Sequence, residues 1–190
     1  MVLFATPGDN YLENNPITPL VLESLREVDA NIFVRLPLVG KEDLEGYVLP
    51  KNAVLDDPGN YQNFTQVHVT QKADQHLANC LNASDLVITW ASTMILDAAV
   101  FNKPIILVDF DATPRAYHYS VARYYDYEHH QFILNSGGVR LVKSLQELLY
   151  WVERYLSAPR LDEAGREKIV KEYCGTFAGS SGRRLGDFLR

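Results

Sequence analysis

The chain has 190 residues, with 24 acidic and 18 basic side chains and a formal net charge of -6. That length suits one domain of about 100–200 residues with a substantial core and excludes two large ones. Hydrophobic residues make up 47% and charged residues 22%, a globular balance that excludes disorder, collagen-like repeats and coiled coil, while an acidic excess with dispersed Lys and Arg offers no basic stripe to nucleic acid.

Val2–Ala5 is a short apolar run stopped by the turn formers Thr6-Pro7-Gly8-Asp9-Asn10, which predicts a first strand ending in a loop. After Pro16, the residues Ile17, Leu20, Val21, Leu25 and Val28 recur at three-to-four spacing, predicting a helix from Ile17 to Val28. Asn31–Leu36 is β-branched and aromatic and closes at Pro37, a second strand, and Ala53–Asp56 repeats the pattern in miniature. Asn63–Thr70 alternates weakly and fits an edge strand or an irregular loop, whereas Asp74–Asn82 carries Leu77, Ala78 and Leu81 on one helical face. Leu86–Trp90 is an almost wholly apolar strand, as expected where both faces of a parallel sheet are covered. A helix over Ser92–Phe101 and a buried strand over Pro104–Phe110 follow it, the length of a right-handed crossover unit. Ala112–His130, dense in Tyr, His and Arg, predicts a long functional loop with a short helix. Strands at Gln131–Leu134 and Val139–Val142 and helices at Leu145–Leu156, Glu163–Tyr173 and Ser181–Leu189 complete the chain. The alternation predicts α/β, a Rossmann-like doubly wound, mainly parallel sheet with helices on both faces, as a single domain over 1–190.

The longest apolar stretch, Leu86–Phe101, is broken by Thr89, Ser92, Thr93 and Asp97 and fails the requirement of about 20 apolar residues for a membrane span. The N-terminal MVLFATPGDN has neither a basic n-region nor a cleavage site, so a cytosolic location is expected. Cys80 and Cys174 lack CxxC or His-rich spacing and read as buried free thiols, not as a disulfide framework or zinc site. His129 and His130, being adjacent, would face opposite sides of a strand, so no metal is expected there. No GxGxxG, GxxxxGKS or GxSxG pattern occurs.

In doubly wound sheets, ligands lie beyond the carboxyl ends of the strands. Ser92 and Thr93 fall at such an end, between a buried strand and its following helix, where hydroxyls and helix N–H groups suit a diphosphate. The alternative is that one of them only caps the helix. Asp97 lies one turn further on the same face, placed to accept hydrogen bonds from a ribose diol, or else it is an ordinary exposed helical carboxylate. The cluster Arg115, Tyr117, His118, Tyr119 and Arg123 leaves the sheet at the same edge. It offers guanidinium groups for phosphate and rings for stacking, or it is an aromatic loop that packs on another domain.

The segment SDLVITWASTMILDAAVFNKPII, residues 84–106, resembles the "sDvvIt..ST...eAa..gkPvI" stretch in the C-terminal, donor-binding domain of B-type glycosyltransferases. Related versions occur in CDP-glycerol glycerophosphotransferases, bacterial surface-carbohydrate transferases and non-hydrolysing UDP-N-acetylglucosamine 2-epimerases. Val34-Arg-Leu-Pro resembles their "vRpHP" strand end, Gly137-Gly through Leu145-Gln-Glu-Leu their "gG...v.s..eL" stretch, and Ala178-Gly-Ser-Ser-Gly-Arg-Arg-Leu their "dG.aseRi" ending. The histidine of "RpHP" is replaced, since Leu38 follows Pro37, and the usual Glu is Asp97, one methylene shorter.

The resemblance implies that Ser92 and Thr93 contact the donor diphosphate and Asp97 the nucleotide ribose, with Arg115 and His118 as further donor-binding candidates. It implies a UDP- or CDP-linked sugar or polyol donor, no separate cofactor and no metal, since helix N–H groups can stabilise the leaving diphosphate. The expected function is donor binding in a glycosyltransferase or glycerophosphotransferase of surface-polysaccharide synthesis. Alternatives are a 2-epimerase-like domain or a non-catalytic binding module. The resemblance implies that the catalytic base sits in an N-terminal acceptor domain, which this sequence is expected to lack, and Met1 followed at once by a core strand leads to the expectation of an excised domain. The expected partners are the donor and that N-terminal domain, with no nucleic acid and with peripheral membrane association of the full enzyme.

Overall fold

The computed structural model describes residues 1–8, 15–39, 44, 46–58, 69–175 and 179–190. The strands are β1 (Val2–Ala5), β2 (Ile32–Arg35), β3 (Ala53–Asp56), β4 (Leu86–Thr89), β5 (Ile105–Val108) and β6 (Arg140–Val142). The helices are α1 (Ile17–Ser24), α2 (Gln71–Ala83), α3 (Met94–Val100), α4 (Ala122–Tyr125), α5 (Glu128–Asn135), α6 (Leu145–Ser157), α7 (Glu163–Tyr173) and α8 (Ser181–Phe188), with a 3-10 turn at Tyr117–Tyr119. None of the described helices is long and apolar enough to cross a membrane.

The strands form one six-stranded sheet in the order β3-β2-β1-β4-β5-β6, every pairing parallel. Val2 sits opposite Ile32 on one side and Leu86 on the other, so β1 lies at the centre, where the strand order reverses. This is the α/β Rossmann-like arrangement that the alternating pattern predicts. β1, β4 and β5 are buried at every position because both faces of the sheet are covered. Right-handed crossovers leave β1 and β4 in opposite directions, which puts α1 and α3 on opposite faces. α6 lies on β4, β5 and β6 and touches α1, while α3 packs against α7.

The α3–α7 contact is a buried lock. Gly165 of α7 approaches the Gly137–Gly138 backbone so closely that a Cβ there would meet Gly137 C and Gly138 N at 2.2 Å. Next to it the Arg166 side chain, 1% exposed, donates from Nε to Asn102 Oδ1 (2.8 Å), from Nη1 to the Leu161 carbonyl (2.7 Å) and from Nη2 to the Pro159 carbonyl (3.3 Å). Asn102 follows α3 in the left-handed region at φ 51°, which Asn tolerates, and its amide donates to Glu163 at 2.6 Å. Asp162 takes both ends of the Arg140 guanidinium and the Tyr155 hydroxyl.

Four elements depart most from the expectations, α2 by beginning at Gln71 and not Asp74. α1 stops at Ser24 because the carbonyls of Leu25, Val28 and Ala30 turn to the Asn52 side-chain amide. α3 begins at Met94, not Ser92. Residues 131–134 are helical, not a strand: α5 buries His130 and Ile133, three apart, on one face. A four-residue apolar run carries too little period to separate the two states. Most of the weakly alternating segment Asn63–Thr70 lies outside the described residues; Thr70 itself caps α2, its hydroxyl accepting from Ala73 N at 3.2 Å.

Candidate functional site

A cavity of about 620 Å³ opens at the carboxyl ends of β1, β2 and β4, at the point where strand order reverses. This is the position where doubly wound sheets take ligands, and the volume is ordinary for a small-molecule site. Residues 5–8 after β1, 35–39 after β2 and 89–93 after β4 form three walls. Leu96 and Asp97 of α3, Tyr124 of α4, His129, His130 and Ile133 of α5, and Tyr173 at the end of α7 also line the cavity. Two walls meet tightly, since a Cβ on Gly8 would lie 2.8 Å from the Val39 carbonyl. Tyr173 joins α7 to α5 by donating to the His129 carbonyl at 2.6 Å.

Ser92, Thr93 and Asp97 all line this cavity. Neither hydroxyl caps α3: Thr93 occupies the cap position without a side-chain hydrogen bond, and Ser92 Oγ lies 3.1 Å from Thr89 Oγ1. The Asp97 carboxyl has no hydrogen-bond or ion-pair partner among the described residues. Burial pushes its pKa up, and the nearby Arg35 charge offsets part of that shift. Arg35 is 7% exposed and paired with Asp56, so its guanidinium is a fixed positive charge in the cavity wall. A partly buried carboxylate facing a cavity with nothing to bond can accept hydrogen bonds from a ligand's hydroxyls or amines.

His130 is 7% exposed. Burial, reinforced by His129, lowers its pKa to about 4, so it is neutral at pH 7. Its Nδ1 and the Trp90 Nε1 are buried without hydrogen-bond partners, and both residues line the cavity. Arg35, Trp90 and His130 were not among the residues that sequence reasoning selected for the donor site. Arg35 carried a signal only as part of the "vRpHP" likeness, and His130 falls at the end of the loop predicted over Ala112–His130.

Arg115 and His118 do not line the cavity. Asp111 Oδ1 accepts from Asn15 Nδ2 (2.7 Å) and from Val121 N (3.2 Å), while Asn15 Oδ1 accepts from Ala112 N (3.0 Å). These bonds tie down both ends of the loop, and its middle carries His118 into solvent, its ring tilted 50° against Tyr119 with centroids 4.2 Å apart. Arg123 donates to the His118 carbonyl and to the Tyr124 hydroxyl. Of the five predicted donor-site residues, three share the cavity and two lie on this loop beside it.

The family model for CDP-glycerol:poly(glycerophosphate) glycerophosphotransferase matches residues 53–190. Among solved structures, the chain is similar to the glycotransferase of kitacinnamycin, with a TM-score of 0.52 and 15% identity over 97% of this chain and 43% of that one. It is also similar to the glycosyltransferase SnogD from Streptomyces nogalater, with a TM-score of 0.43 and 16% identity over 89% of this chain and 42% of that one. The chain thus spans less than half the length of either protein, and the first likeness shows a shared fold. No curated protein matches the sequence.

Proposed function

Since the chain belongs to the CDP-glycerol:poly(glycerophosphate) glycerophosphotransferase family, we propose that its cavity binds a nucleoside-diphosphate-linked donor, a sugar or a polyol, for transfer to an acceptor hydroxyl. The observation that carries this reading is the partly buried, unpartnered Asp97 carboxylate facing the cavity at the sheet's switch point. A ribose diol supplies the two donors that this carboxylate lacks, and the Ser92 and Thr93 hydroxyls, one turn away, are free of capping duty and fit the diphosphate. Arg35 adds positive charge on the same side.

Transfer of a glycosyl group breaks a carbon–oxygen bond and releases the nucleoside diphosphate; transfer of glycerophosphate breaks the phosphoanhydride and releases the nucleoside monophosphate. In both, negative charge grows on the leaving phosphate, and hydroxyls and backbone N–H groups around residues 92–94 are the groups placed to meet it. In this reading the chain acts as the donor half of a two-domain transferase of surface-polysaccharide synthesis, with the acceptor and its activating base on another domain, in keeping with its spanning 43% of the similar kitacinnamycin glycotransferase. The family match supports transfer over 2-epimerisation.

Calorimetric titration of the purified chain with CDP, UDP and GDP tests the reading. Saturable binding of CDP in preference to the others supports a CDP-linked donor, and preference for UDP redirects the reading to a nucleotide sugar. Absence of binding by all three refutes a donor site in this chain.

A further inference from the structure

β3 ends on Asp56, and α2 crosses beside it carrying His76 and Cys80, four residues apart and therefore on one helical face. His76 Nε2 lies 2.8 Å from Asp56 Oδ1 and 3.6 Å from Cys80 Sγ. The carboxylate, imidazole and thiol atoms all lie within 4.8 Å of one another. Two neighbours thus address one ring nitrogen. In a neutral imidazole that nitrogen is a donor or an acceptor, not both, so it cannot donate to Asp56 and accept from the thiol at once. A nucleophile–base–carboxylate relay uses the two ring nitrogens separately, so this is not one. A carboxylate oxygen, an imidazole nitrogen and a thiol sulfur within 4.8 Å of one another are a donor set that one cation can bridge.

We propose that Asp56, His76 and Cys80 form a site for one divalent transition-metal ion of the zinc type. With bonds of about 2.0 Å to nitrogen and about 2.3 Å to sulfur, tetrahedral zinc separates those two ligands by about 3.5 Å, against the 3.6 Å present here. The oxygen–nitrogen pair has to open from 2.8 Å to about 3.3 Å. His76 can move that far because its side chain is 49% exposed. The donor set selects the metal: thiolate and imidazole favour zinc-type ions over magnesium or calcium, which take oxygen.

Arg35 pairs with the other carboxylate oxygen, Oδ2, and so holds Asp56 in place while leaving Oδ1 for the ion. Cys80 closes the buried side of the site, and the exposed His76 leaves an entry path and room for water as a fourth ligand. Because Arg35 also lines the donor cavity, an ion on Asp56 sits one side chain away from it, yet the site stands on its own residues whatever that cavity binds.

The test is titration of the metal-free chain with Zn²⁺ by calorimetry and with Co²⁺ by absorption spectroscopy. One equivalent of each should bind, the Co²⁺ complex showing tetrahedral d–d bands and a thiolate-to-cobalt charge-transfer band. Cys80→Ser should abolish the charge-transfer band, and His76→Gln should weaken Zn²⁺ binding by at least about tenfold, since even ligand-supporting groups carry that much. Cys174→Ser should change neither. If Cys80→Ser does not fold, His76→Gln, on a half-exposed side chain, carries the test with circular dichroism as its folding check. No saturable binding, or equal Zn²⁺ affinity in the His76 variant, or a charge-transfer band that follows Cys174, overturns the site.

Discussion

Replacement of Asp97 by Asn separates a ligand-binding carboxylate from a structural one, because the two roles move stability and affinity differently. The carboxyl is partly buried without a partner among the described residues, and burial raises its pKa. The folded protein therefore keeps the proton to higher pH than the unfolded chain, so the ionised group costs stability above its raised folded value. That cost disappears as pH falls below the unfolded carboxyl value of about 4. Asn, nearly isosteric and uncharged, removes the cost, and Asp97→Asn should melt at or above the wild-type temperature at pH 7 and converge with it at acid pH. Nucleotide affinity should move the other way. A hydrogen bond to a charged acceptor is worth about 1.5–3 kcal/mol, so losing the charge under a ribose diol should cost about 2–4 kcal/mol, or roughly 30- to 700-fold in Kd. Calorimetry with the best-binding nucleoside diphosphate and thermal melts at several pH values measure both. A variant that loses stability and keeps its affinity would show that Asp97 serves the fold and that the proposed site is misassigned.

Ser92→Ala with Thr93→Ala should leave thermal stability within about 0.5 kcal/mol, the range of surface changes away from caps, because neither hydroxyl caps α3, while nucleoside-diphosphate affinity falls in calorimetry; a loss of about 1 kcal/mol or more would restore the capping role. Gly165→Ala, whose Cβ would meet backbone at 2.2 Å, should cost about 3 kcal/mol or more by overpacking and lower Tm by roughly 6–12 °C. Gly182→Ala, in open space on α8, should be neutral or stabilising by up to about 1 kcal/mol in the same melt. His130, held neutral down to a pKa of about 4, should make stability fall as pH drops from about 6.5, where the unfolded chain takes the proton, towards that value; denaturant titrations should show up to about 3 kcal/mol of this loss removed in His130→Gln.

The strands were legible because each is a run of three or four residues with a strong composition signal. β1, β3 and α7 begin and end where the pattern predicts, and β4 and β5 differ by a residue or two at their ends. What composition did not carry was decided by partners far along the chain. Asn52 reaches back to three carbonyls and ends α1 early, and nothing within residues 17–28 announces it. The loop after β5 leaves the ligand edge of the sheet, which makes Arg115 and His118 donor-site candidates unless the loop packs on another domain. Its path depends instead on Asp111 and on Asn15, nearly a hundred residues away, and it carries His118 away from the cavity. Ser92, Thr93 and Asp97 were legible because a strand–helix junction is local in sequence, whereas Arg35 and His130 enter the cavity only when three separate segments meet. The His76–Cys80 pair was passed over for a similar reason: i,i+4 spacing on a helix becomes a metal-binding pattern only when β3 brings Asp56 to it.

That dependence on distant partners bears on how the carboxylate at the centre of the site is held. α3 has seven residues, too few to be stable as an isolated helix, and it presents Asp97 to the cavity only because both of its ends are fixed. At the front, β4 is buried at every position and stops beside the cavity. At the back, Asn102 takes the left-handed conformation that ends the helix and is gripped by Arg166 and Glu163 of α7, whose approach depends on Gly165 lying against Gly137 and Gly138. Gly137, Gly138, Gly165 and Arg166 do not line the cavity, yet they set where the Asp97 carboxylate stands. Gly165→Ala should therefore lower affinity and stability together, as displacement of α3 requires, whereas Asp97→Asn lowers affinity alone. The contrast between the two variants distinguishes a residue that binds the donor from those that aim it.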